Sequence, residues 1–275
     1  MIFRSLKYLI PDKVKTQVKA LLFPNKNSWW KGDYASWDKA LAHCTGYNDD
    51  LILQKVKQAV LKVKKGEALY ERDSVLFNTP YYFEPLVKAL KVSVKNNSLD
   101  VLDFGGSLGS TYFQYKPILD NVKNLNWAVV EQNNYFQAGR TEIAEAGLQF
   151  YETVKEALEQ QQAQVLLLSS VLPYLKDPYA VVKELLQYKF DSIIIDRTNF
   201  IKRKKDRLTV QQVPKEIYEA SYPCWFFNEQ RFLSHFLEAY EIQNEFMNET
   251  PPPERLGMDE VYWKGFYLKR KGIAT

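Results

Sequence analysis

Cysteine and histidine are nearly absent: Cys44, Cys224, His43 and His235 are the full complement. Four such residues, so scattered, match no metal-ligand spacing, and two distant thiols make no disulfide framework. No metal is expected. His43 and Cys44 make a poor catalytic pair, because adjacent side chains on a helix diverge. Long apolar runs are also missing. Nothing approaches the roughly 18 residues of a membrane-spanning helix, and the opening MIFRSLKYLI is too broken by charge for a signal peptide. Nor does one charge sign dominate: 37 Lys and Arg stand against 33 Asp and Glu, for a formal net charge of +4. Without a concentrated basic stripe or a recognisable module, no nucleic-acid partner is expected. The expected location is cytoplasmic. Residues 1–24 mix apolar Leu6, Leu9 and Ile10 with basic Arg4, Lys7 and Lys13. They are expected either to pack on the domain as amphipathic helical turns or to make a weak peripheral contact with the inner face of a membrane.

What is abundant is aromatic: Phe, Tyr and Trp make up 15% of the chain. Many must be buried, and the remainder can line a pocket for a flat or sugar-like ligand. The early part reads as helical, with segments near 49–65 and 81–90, and Ser36 placed to cap a short helix that Gly46 ends. From residue 98 the pattern changes. SLDVLDFGG, NWAVVEQ, LQFYET, QVLLLSS and DSIIID are short apolar runs. Helical stretches alternate with them, and Thr153 and Pro178 stand near two helix starts. Such alternation predicts a three-layer, Rossmann-like α/β fold with a mostly parallel sheet. The rhythm breaks near the end, where AYEIQNEFMN and DEVYWKGFYLKR alternate on either side of a proline-rich loop. These predict a C-terminal antiparallel edge pair. The chain thus divides into a helical cap or lid, residues 1–95, and an α/β domain, residues 96–275.

The sharpest local pattern is DVLDFGGSLGS at 100–110. An apolar strand sets Asp103 at its carboxyl end, and the chain turns into a helix through Gly105, Gly106, Ser107 and Gly109. Glycines permit positive φ and a close approach of ligand to backbone, and free amides at a helix start favour polar groups. Glu131 ends the next strand, where a carboxylate can take both hydroxyls of a ribose. A nucleoside cofactor is implied. GGSLG departs from the GxGxxG of dinucleotide sites, and Asp103 beside it suits a cationic cofactor better than a pyrophosphate. S-adenosylmethionine is therefore favoured over NAD.

At these residues the chain resembles class I S-adenosylmethionine-dependent methyltransferases, with Ser107 in place of the middle glycine of their first motif. A wider set of segments is similar to an uncharacterised bacterial family of such enzymes, associated with surface-polysaccharide genes. The segments are Gly32-Asp33-Tyr34 with Trp37, Gly46-Tyr47, Arg72-Asp73, LDFGGSLGS, LLSSVLPYL, DRT at 196–198 and SYP at 221–223. The resemblance implies that Asp103, Gly105, Gly106, Ser107 and Gly109 hold the amino-acid portion of the cofactor. It further implies that Glu131 binds the ribose, that Gln132, Phe150 and Tyr151 shape the adenine pocket, and that Ser169 faces cofactor and acceptor.

Methyl transfer from a sulfonium is an in-line displacement that needs alignment, exclusion of water and, for a hydroxyl acceptor, removal of a proton. The carboxyl ends of parallel strands are where this happens. Asp196 is the candidate base, or alternatively the partner of Arg197. Ser170 and Tyr174 are candidates for positioning the acceptor. Arg197, Asn199, Gln211, Gln212 and Tyr218 are candidate acceptor contacts, and Trp29, Trp30, Tyr34 and Trp37 a candidate aromatic wall. The run KRKKDR at 202–207 is either solvated loop or a seat for an anionic acceptor. His235 lies between apolar pairs and reads as packing. The expected activity is methyl transfer to a hydroxyl of a sugar, nucleotide-sugar or glycan-linked acceptor. The alternatives are an NAD-dependent glycan-modifying oxidoreductase and a non-catalytic scaffold in polysaccharide assembly.

Overall fold

The computed structural model describes residues 29–44, 49–213, 220–248 and 255–272. The expectations for residues 1–24, Gly46, Tyr218 and the three consecutive prolines lie outside them. Among the described residues no helix is long and apolar enough to cross a membrane.

The main sheet has eight described strands, seven of them along one path: β1 (Ser98–Phe104), β2 (Asn124–Val130), β3 (Leu148–Tyr151), β4 (Val165–Ser169), β5 (Ser192–Ile201), β6 (Tyr240–Met247) and β7 (Asp259–Arg270), with the short strand Arg255–Leu256 paired on β7. Their spatial order is 3-2-1-4-5-7-6. The pairs among β1 to β5 are parallel. β7 runs antiparallel to both β5 and β6. The expected parallel sheet with a C-terminal antiparallel pair is what forms.

Each parallel strand sends alternate residues to opposite faces. In β4, Val165 and Leu167 join one core while Leu166 and Leu168 join the other. Both faces are covered, which is why these strands read as continuous apolar runs. The first face packs on α1 (Asp49–Lys64), α2 (Glu84–Val92), α3 (Ser110–Tyr115) and α4 (Asn133–Ala138), through side chains such as Val56, Leu86, Tyr112 and Phe136. The second packs on α5 (Val154–Gln160), α6 (Pro178–Leu186) and the short helix Glu229–Ser234, through Ala157, Val182 and Phe232. Full burial of each Leu, Ile or Phe contributes roughly 1.5–3 kcal/mol, so the three layers hold one another. Local signals set the helix starts: Ser36, Thr153, Asp177 and Asn228 each accept an amide of the first turn.

At Pro117 α3 passes into a 3-10 turn, Lys116–Leu119. Two features differ from the pattern read off the sequence. β5 does not stop at Asp196 but continues to Ile201, because β7 pairs with it far past the end of β4. A second sheet also forms from Trp30–Lys31, Arg207–Gln212 and Ser221–Phe226. It joins chain from both sides of residue 95, a long-range pairing that periodicity alone cannot show. A hairpin, Tyr70–Arg72 with Val75–Phe77, completes the described strands near the amino terminus.

Candidate active site

β1 delivers Asp103 to the carboxyl edge, 1% exposed, where the Trp127 indole donates to its Oδ2 at 3.0 Å. Burial pushes this carboxyl up to about 7; the charge of Glu131 adds to the rise, while the Trp127 hydrogen bond and Arg197 oppose it. The chain then turns through Gly105 at φ +73, Ser107 at φ +54 and Gly109 at φ +81 into α3. Ser107 therefore holds a left-handed conformation that costs an L residue about 1–2 kcal/mol.

Gly106 is required for a different reason. A Cβ there would lie 2.6 Å from the Asp103 carboxyl carbon. Gly106→Ala should displace Asp103 and cost about 1–3 kcal/mol as an overpacking change. A urea titration of the ligand-free protein reads this directly, and an unchanged midpoint would show that the turn has room to spare.

Glu131 follows β2 and closes against the same turn. Its Oε1 accepts the Ser107 amide and its Oε2 the Gln132 amide, both at 2.9 Å. The carboxylate is thus oriented by backbone alone, and burial raises its pKa.

β5 supplies the other half of the edge. Between Lys264–Thr198 and Phe266–Ile195 the register shifts, so that Asp196 and Arg197 together face Gly265. Arg197 has φ +49, a bulge that re-aims its side chain. Only glycine fits opposite, since a Cβ at Gly265 would meet the Ile195 carbonyl oxygen at 2.5 Å and the Phe246 ring at 2.2 Å. Asp196 is 3% exposed. Its carboxylate accepts from Ser169 Oγ at 3.0 Å and Asn248 Nδ2 at 2.7 Å, and Arg197 Nε lies 3.3 Å from Oδ2. Arg197 in turn donates to Ser169 Oγ at 2.9 Å.

The glycine turn and the β4 and β5 ends border a cavity of about 280 Å³; Glu131 holds the turn through the Ser107 amide and is not itself among the lining residues. Of the residues nominated from sequence, Asp103, Gly105, Gly106, Ser107, Ser169, Ser170, Tyr174, Arg197 and Gln211 line it, as does Trp29 of the aromatic group. Tyr174 donates to Gln211 Oε1 at 3.0 Å, and burial holds its hydroxyl well above the usual phenol range. Asp196 lines a smaller cavity beside the first.

The other nominated residues lie elsewhere. Gly109 is buried at the start of α3 beside Leu148, Gln132 is exposed, and Phe150 packs on Gly139. Tyr151 is half-buried against the second core. Asn199 donates to the Cys224 sulfur within the fold. Gln212 is exposed at the end of its strand. The aromatic wall is divided: Trp30 packs on Phe226 and Trp263, Tyr34 meets His43, and Trp37 joins a small cluster with Ala40, Leu208 and Val210. In the basic run, Lys202, Arg203 and Arg207 pair with Glu260, Asp33 and Asp259. His235 stacks on Tyr179.

Several lining residues carry no motif, notably Glu71, Arg72, Thr111, Gln114 and Tyr222. Glu71 is 3% exposed and accepts from Ser110 Oγ and from the Ser74 amide. It ties the amino-terminal hairpin to the first residue of α3. The signals available were Arg72-Asp73 and Ser221-Tyr222-Pro223, which entered only through the resemblance.

The fold is a three-layer, Rossmann-like α/β fold whose parallel sheet ends in an antiparallel edge pair. No family model matches the chain, and no curated protein does. Among solved structures it overlaps LepI in complex with S-adenosylmethionine at 12% identity and a TM-score of 0.46, covering 70% of this chain and 49% of that one. This chain therefore spans about half the length of LepI. An S-adenosylmethionine-dependent methyltransferase from Methanosarcina mazei overlaps at 11% identity and a TM-score of 0.46, covering 70% and 99%. The glycopeptide N-methyltransferase MtfA with S-adenosylmethionine overlaps at 8% identity and a TM-score of 0.45, covering 67% and 92%. Strand order and direction, rather than these distant overlaps, define the fold.

Proposed function

We propose that this chain binds S-adenosylmethionine and transfers its methyl group to a hydroxyl of a sugar, nucleotide-sugar or glycan-linked acceptor. The observation that carries the reading is the pairing of Asp103 with the Gly105–Ser107 turn on one cavity wall, while Glu131 grips the Ser107 amide from the neighbouring strand. The donor set suits the cofactor. A buried carboxylate answers its cationic end, and Glu131 has lone pairs left for a ribose diol after accepting two amides. The close contact of Gly106 with Asp103 leaves backbone, not side chain, facing that part of the cavity.

When bound, the cofactor supplies an electrophilic methyl on a sulfonium. The protein's own work is placement. Ser169, Ser170 and Tyr174 line the strand-4 side of the cavity, beside the glycine turn, and orient an acceptor hydroxyl by hydrogen bonds. Asp196 holds Ser169 and Arg197 in place through the contacts already described, and the proton that the acceptor hydroxyl gives up on methylation passes through Ser169 Oγ to the Asp196 carboxylate. Trp29 and Tyr222 on the rim help to keep water out. The surface-polysaccharide association belongs to this proposal through the family resemblance alone, and a cytoplasmic location through the sequence expectation stated above.

An NAD-dependent oxidoreductase has less support. The dinucleotide-binding sheet has the order 3-2-1-4-5-6 with parallel strands, whereas here antiparallel β7 separates β5 from β6. Calorimetric titration decides between them. S-adenosylhomocysteine should bind saturably and NAD should not; tight NAD binding with no response to the sulfur cofactor would sink the proposal.

A further inference from the structure

We infer that Arg72 and Arg197 together receive an anionic group of the methyl acceptor, a carboxylate or a phosphate. This rests on the methyl-transfer reading and names the acceptor's chemistry within it.

Both guanidinium-bearing residues line both cavities of the carboxyl edge, together with Thr111, Gln114 and Ser169. They arrive from unrelated parts of the chain. Arg72 comes from the amino-terminal hairpin and Arg197 from the β5 bulge. Arg72 is half-buried and lies 5.8 Å over the Tyr81 ring. It has no ion pair or side-chain hydrogen bond among the described residues. Its neighbour Glu71 is turned toward Ser110 and Ser74 instead.

Other partly buried cations of this protein are treated differently. Arg207 is held by Asp259, and Lys264 by Glu229 and Glu245. Arg197 is only partly satisfied: it donates to Ser169 and is ion-paired with Asp196, its Nε 3.3 Å from Oδ2 yet buried without a hydrogen bond. Asp196, the one carboxylate of the smaller cavity, already accepts from Ser169 and Asn248.

Arg72 loses hydration on this partly desolvated wall without an ion pair in return, and Arg197 is offset by Asp196 along one edge only. An oxyanion between them supplies the missing acceptors, and the planar guanidinium fork suits carboxylate and phosphate oxygens alike. The wall adjoins Ser169, where the acceptor is expected. The basic run at 202–207 does not serve, because none of its residues lines either cavity.

The test uses the full chain saturated with S-adenosylhomocysteine. Inorganic phosphate and acetate are titrated separately, at an ionic strength held constant with chloride, and melting shifts give their apparent affinities. The parent should favour one of the two over chloride, which tells the phosphate source from the carboxylate source. Arg72→Met should weaken that anion roughly 10- to 100-fold, Arg72→Lys should retain most of it, and both variants should bind S-adenosylhomocysteine within about twofold of the parent. Equal anion affinity in Arg72→Met and parent overturns the inference, as does no preference over chloride. A loss of S-adenosylhomocysteine binding in Arg72→Met also overturns it, by placing Arg72 on the cofactor. Failure of the parent to bind S-adenosylhomocysteine would remove the methyl-transfer reading itself.

Discussion

Glu131→Ala should weaken S-adenosylhomocysteine binding roughly 30- to 150-fold, about 2–3 kcal/mol for a lost charge-assisted contact. The carboxylate is fixed by the Ser107 and Gln132 amides, each at 2.9 Å, so it is preorganised and little ordering entropy is spent on binding. The same bonds predict that folding suffers less. Both amides lie at the edge of the fold, Gln132 in an exposed position, where water can replace the lost acceptor. Melting curves without ligand and calorimetry with it separate the two effects. Glu131→Gln, which keeps the shape and one acceptor oxygen, should fall between parent and Ala. Equal affinities in parent and Ala variant would remove Glu131 from the site.

The second large effect belongs to Asp103, whose carboxyl is raised from 3.8 to about 7, chiefly by burial. Between about pH 4 and 7 the unfolded chain has released a proton that the folded one still holds. The free energy of unfolding therefore falls as pH rises through that window and levels off above it. Asp103→Asn removes this cost. The variant should gain on the parent by a few kcal/mol between pH 4 and 8, while keeping an acceptor for the Trp127 indole. Binding should respond in the opposite sense. A cationic cofactor prefers the carboxylate, so below about pH 7 the parent must expel a proton to bind. Its affinity should then fall by up to tenfold for each pH unit. In Asp103→Asn that slope should vanish and affinity at pH 8 should drop. Melts and titrations at pH 5, 6, 7 and 8 test both arms. Matching pH slopes for parent and variant would mean that Asp103 does not titrate in this range. A site that destabilises its own ligand-free fold is what a preorganised charge in a buried place entails.

Much of this protein was legible before folding was considered. The succession of short apolar strands and helices gave the three-layer architecture, because a sheet covered on both faces needs continuous apolar runs. Alternation in the last two segments foretold the antiparallel pair. Asp103 and the glycine turn were found from one strand-to-helix junction, since that chemistry is local: backbone freedom, free amides and a strand-end acid occur within a few residues. Glu131 was found by counting on to the end of the next strand. Helix starts were equally local, as Thr153 and Asn228 show.

Other matters depended on chain segments meeting that no periodicity brings together. The length of β5 follows from β7 pairing beyond Asp196, and the aim of Arg197 follows from a bulge opposite Gly265, so neither is written in DSIIIDRTNF alone. Tyr34, Trp37 and Asn199 looked like site residues by type, yet the second sheet and its cores absorb them. Arg72, Glu71 and Gln114 looked ordinary and stand in the cavity wall. The sequence determined the architecture and the glycine turn, because hydrophobic period and glycine conformation act over neighbouring residues. Only tertiary structure decided which side chains share a cavity and which charges remain unpaired, because burial and ion pairing are set by residues distant along the chain.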